Sequence, residues 1–77
     1  MLAETAITIL QRLGYQVHAR DFGLVNLYNE SLQRSIRLEG TMLTTIKDGD
    51  TKEYHPVLCN VFGLKEKDLV KKIKALK

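Results

Sequence analysis

The sequence predicts a mainly α domain with a small β-hairpin, in the order helix, helix, hairpin, helix. Three observations carry this α+β expectation. Apolar residues recur at helical spacing near the N-terminus and again through residues 19–39. A short run rich in threonine and branched residues follows, and Asp48-Gly49 is the strongest turn signal of the chain. Pro56 then stands where a proline opens a helix. With 77 residues, no internal repeat and no linker-like stretch, the chain reads as a single small domain over 1–77.

The first helix is expected over about 2–13. Leu2, Ala3, Ala6, Ile9, Leu10 and Leu13 share one face, and Ile7 widens it. Gly14 follows the last periodic residue and suits a helix-closing left-handed conformation. The second helix is expected over about 19–39. Asp21 falls in its first turn, and Val17 and Phe22 have the spacing of a hydrophobic staple. Leu24, Val25, Tyr28, Leu32, Ser35 and Ile36 mark its inner face, while Leu27 and Leu38 lie off that stripe. Gly40 ends it.

The hairpin is expected over about 41–54. Met42 to Ile46 favour extended backbone, and Thr51 to Tyr54 supply the returning strand. The last helix is expected over about 56–76, with Leu58, Phe62, Leu69, Ile73 and Leu76 on one face. Gly63 interrupts it at a cost of about 1 kcal/mol relative to alanine. Asp68 and Lys72 are ordered for an ion pair one turn apart.

Composition narrows the function classes. Hydrophobic residues make up 44% and charged residues 27%, which is globular rather than disordered. Cys59 is the only cysteine, so it makes no internal disulfide and anchors no cysteine-rich zinc site. No apolar run approaches the roughly 18 residues of a membrane span, and no secretory signal precedes the first helix. The cytoplasm is the expected compartment.

Residues for catalysis are sparse. Cys59 and His55 are four apart and would share a helix face, but nothing around them resembles a nucleophile elbow or a papain-type site. A metal site built on the same pair lacks its remaining ligands. The glycines form no phosphate loop, and Asp48 and Asp50 belong to turn chemistry rather than to a calcium loop. The expectation is a non-enzyme with neither metal nor cofactor.

Charge is the informative feature. The net charge is +3, and the excess lies in the last segment. There Lys65, Lys67, Lys71, Lys72, Lys74 and Lys77 face only Glu66 and Asp68. A basic tail on a near-neutral body suits a polyanion such as double-stranded DNA. It also suits a helix C-terminus, where lysines complement the macrodipole. Arg34 and Arg37 are further candidates for phosphate contact.

The order of signals resembles the core of the phage terminase small-subunit family. The resemblance rests on Leu13-Gly14, on Asp21, Leu24 and Tyr28, and on Glu39-Gly40 and Thr44-Thr45. Gly49, Lys52 and the His55-Pro56 pair complete it, so it spans about Glu4 to Leu76. It implies a non-catalytic DNA-packaging subunit that forms a homo-oligomer and binds phage DNA. Such a subunit presents the DNA to a large terminase subunit with ATPase and nuclease activity. The rival expectation is a small phage or mobile-element adaptor without DNA binding. Its protein interface would be the apolar surplus of Leu27, Leu38, Leu43 and Leu64.

Overall fold

Burial along residues 24–39 alternates with a period of two, which is the period of a strand and not of a helix. Val25, Leu27 and Asn29 point inward from one run, and Arg34, Ile36 and Leu38 from the next. The computed structural model describes residues 1–47 and 57–76. Within them the order is α1 (Ala3–Arg12), β1 (Gln16–Asp21), β2 (Leu24–Asn29), β3 (Arg34–Glu39), β4 (Met42–Lys47), β5 (Val57–Asn60) and α2 (Glu66–Lys74). The five strands form one antiparallel sheet in sequential order. The domain is therefore dominated by a sheet with two short helices, and the mainly helical expectation is overturned.

The expected second helix is three strands and their turns. Phe22 and Gly23 both have positive φ, at 35° and 79°, and join β1 to β2 as a two-residue type I′ turn. Glycine suits that conformation and phenylalanine does not. Between β2 and β3 the Asn29 carboxamide accepts the Leu32 N–H at 3.1 Å, and the Gln33 N–H bonds the Glu30 carbonyl at 3.2 Å. Asparagine and serine here favour the turn over a helix interior. Gly40 closes no helix. It lies in the β3–β4 turn and donates its N–H to the Gly23 carbonyl at 2.9 Å.

The expected last helix is also divided. Its first part, Val57–Asn60, is β5, paired with β4 through Leu43 and Cys59. Of its described residues, only Glu66–Lys74 are helical. Gly63, with φ of 78°, lies in the connection. The expected hairpin has its first strand in β4. The Asp48-Gly49 turn, Lys52, the returning strand Thr51 to Tyr54, His55 and Pro56 fall outside the described residues.

One face of the sheet carries both helices. Val25, Leu27, Ile36, Leu38 and Leu43 form a single cluster with Ala6, Ile7, Ile9 and Leu10 of α1 and Leu69 and Ile73 of α2. Leu27, Leu38 and Leu43, expected as surplus surface for a partner, are fully buried in this core. Leu64 is partly buried against it. The expected α-helical stripe failed because cross-strand neighbours fill the core: Val25 faces Leu38, and Leu27 faces Ile36. Arg20 of β1 forms an ion pair with Glu4 of α1, tying an edge strand to the helical layer. The opposite face presents Leu24, Asn26 and Tyr28 beside Ser35, Arg37 and Glu39, and neither described helix covers it.

Candidate nucleic-acid interface

α2 is oriented by Leu69 and Ile73, which are buried. Helical spacing then fixes the rest. Lys67, Lys71 and Lys74 stand at i, i+4 and i+7 on the side away from the core, and all three are exposed. That stripe spans about 10 Å at the α-helical rise. Lys65 is the exposed residue that precedes the helix. Lys72 lies on the flank of α2, where it and Asp68 line a groove with Leu64, Lys71 and Ala75. The expected Asp68–Lys72 ion pair is absent among the described residues, although Glu66 and Asp68 begin α2 and Lys71, Lys72 and Lys74 end it, as the macrodipole favours. Lys77 lies outside the described residues.

The two arginines do not join these lysines. Arg34 is only 7% exposed and points to the inner face of β3, level with Asn29 of β2. Arg37 points to the opposite face, where its Nε donates to the Asn26 carboxamide at 3.4 Å. Arg12, not singled out from sequence, does approach the lysine helix. It lines a groove of about 370 Å³ with Ile9, Leu13, Glu66, Lys67 and Val70. Basic charge alone does not reveal a face; only knowing which residues α1 and α2 bury does.

The inner end of the sheet near Arg34 has its own electrostatics. Tyr15 is buried, and its hydroxyl has no hydrogen-bond partner among the described residues. Desolvation raises its pKa, and the nearby Arg34 guanidinium partly opposes the rise. The native state thus keeps a proton that the unfolded chain releases near pH 10. This contribution to stability is full below pH 10 and is lost as pH rises through the native value. Tyr15→Phe is expected to stabilise the domain by about 1 kcal/mol near neutral pH, because it removes an unsatisfied hydroxyl. It is also expected to reduce the loss of stability above pH 10. Denaturant titrations of both proteins from pH 7 to 11 check this; a destabilised Phe variant at pH 7 means the hydroxyl is bonded.

Cys59 is half-buried on β5 opposite Leu43. Burial pushes its thiol pKa up against the pull of Lys72, the reverse of an activated thiolate. Among the described residues no group of three or more His, Cys, Asp or Glu side chains is arranged to hold a metal ion. No helix among them is long and apolar enough to cross a membrane. No protein-family model, curated protein or solved structure matches the chain.

Proposed function

We propose that this domain is a non-catalytic nucleic-acid-binding module that contacts phosphates through α2. The observation that carries the reading is the exposed stripe of Lys67, Lys71 and Lys74, held outward by buried Leu69 and Ile73. Lys65 and Arg12 add charge to the same helical layer. Among the described residues the opposite sheet face presents Asp21 and Glu39 beside Arg37, whereas the exposed lysines lie on and beside α2. Such contacts position a backbone and carry no sequence information. The mainly helical order behind the resemblance to terminase small subunits differs from the observed antiparallel sheet with two short helices, so the proposal rests on the α2 stripe and not on that resemblance.

Three phosphate contacts give a slope of log affinity against log salt of about −2.7. Affinity for duplex DNA is therefore expected to fall about 40-fold between 50 and 200 mM salt. The triple variant Lys67→Glu, Lys71→Glu, Lys74→Glu is expected to abolish binding, while Arg37→Ala on the far face leaves it unchanged. Fluorescence anisotropy with a labelled duplex measures both. Binding that ignores salt, or that survives the triple variant, overturns the reading.

A further inference from the structure

The most unusual side chain in the described structure is Phe22. It is 103% exposed, at the tip of the β1–β2 turn, and its φ of 35° is one that bulky residues rarely adopt. A solvated, strained phenylalanine is kept at a cost to the isolated chain, and such strain concentrates where a residue contacts something else. Asp21 and Glu39 flank it, on either side of Leu24 in the cross-strand register. The tip is thus an apolar knob with an acidic collar.

The groove between α1 and α2 has the complementary character. Its floor is Ile9, Leu13 and Val70, and Arg12 and Lys67 stand at its rim with Glu66. Its volume of about 370 Å³ exceeds the roughly 150 Å³ that accommodates a benzene ring. The two features lie at opposite ends of the domain. The Leu13 carbonyl accepts a bond from Asn29 at the far end of β2, and Phe22 precedes the near end of that strand. Six strand residues span about 20 Å, so a chain cannot fill its own groove.

We infer that Phe22 of one copy seats in the α1–α2 groove of a second copy, with Asp21 and Glu39 meeting Arg12 and Lys67. The contact joins two different surfaces, so it is heterologous, and it propagates into a ring or an open chain of subunits. Lys71 and Lys74 lie outside the lining of the groove and stay exposed in the assembly. The inference does not depend on nucleic acid.

Sedimentation velocity of the full chain, without nucleic acid and over rising concentration, tests it. Wild type is expected to form species larger than a dimer. Phe22→Asn is expected to melt at a higher temperature, since asparagine tolerates this conformation, and to remain monomeric. The double variant Arg12→Glu, Lys67→Glu is expected to fold normally and to remain monomeric too. Mixed in equal amounts, the two are expected to form a one-to-one dimer and nothing larger, because one sound tip meets one sound groove. A monomeric wild type, unchanged assembly in Phe22→Asn, or a mixture that stays monomeric each overturns the inference.

Discussion

Leu38→Ala is expected to destabilise the domain by about 3 kcal/mol, whereas Leu32→Ala costs less than about 1 kcal/mol. Leu38 is 1% exposed and sits on the inner face of β3 between Val25 of β2 and Leu43 of β4. Truncation removes its transfer energy and leaves a cavity that two hydrogen-bonded neighbouring strands cannot close. Leu32 is 49% exposed, in the turn between β2 and β3. A small domain has a total stability of order 0.1 kcal/mol per residue, so the Leu38 variant should be close to half unfolded in mild denaturant. Urea midpoints compared at constant slope measure the difference. A helix over 19–39 reverses the order, since Leu32 would then face inward and Leu38 outward. Equal costs, or a larger cost at Leu32, would therefore reject the sheet.

The same residues explain why the strands were hidden in the sequence. Leu24, Val25, Tyr28, Leu32, Ser35 and Ile36 satisfy a helical period, while Val25 with Leu27 and Ile36 with Leu38 satisfy a strand period. A window laid across the turn at Glu30 to Gln33 merges two strands into one apparent helix. The local chemistry pointed the other way. Phe22-Gly23, Asn29 to Ser31 and Glu39-Gly40 stand at hairpin intervals, each containing residues that favour turns. The two real helices were legible where a single apolar face runs without a break, in Ala6, Ile9 and Leu10 and in Leu69 and Ile73. The lysines of α2 were legible for the same reason. Arg34 was not, since its charge does not reveal that β3 turns it inward beside Tyr15. Phe22, read as a staple on a helix that does not form, stands alone in solvent.

Gly14→Ala is expected to cost about 2–3 kcal/mol, well above the roughly 1 kcal/mol expected for Gly63→Ala. Gly14 has φ of 99° and ends α1 in a Schellman arrangement. Its N–H bonds the Gln11 carbonyl at 3.1 Å, and the Tyr15 N–H reaches back to the Leu10 carbonyl at 3.0 Å. Tyr15 and Leu10, the two residues so joined, are both buried, so the motif also directs the chain from the helix into the sheet. A methyl group at Gly14 would lie 3.2 Å from Asn29 Nδ2, whereas at Gly63 it would meet open space. Asn29 has little room to yield. Its Nδ2 donates to the Leu13 carbonyl at 3.3 Å, and its Oδ1 holds the β2–β3 turn through Leu32. The Gly63 variant therefore measures backbone strain alone, and the excess at Gly14 measures the link through Asn29. In a double-mutant cycle, Gly14→Ala and Asn29→Ala should cost less together than the sum of the two, because the same contact is lost twice. Equal costs at Gly14 and Gly63, with strict additivity in the cycle, would mean that the helix end and the β2–β3 turn are held independently.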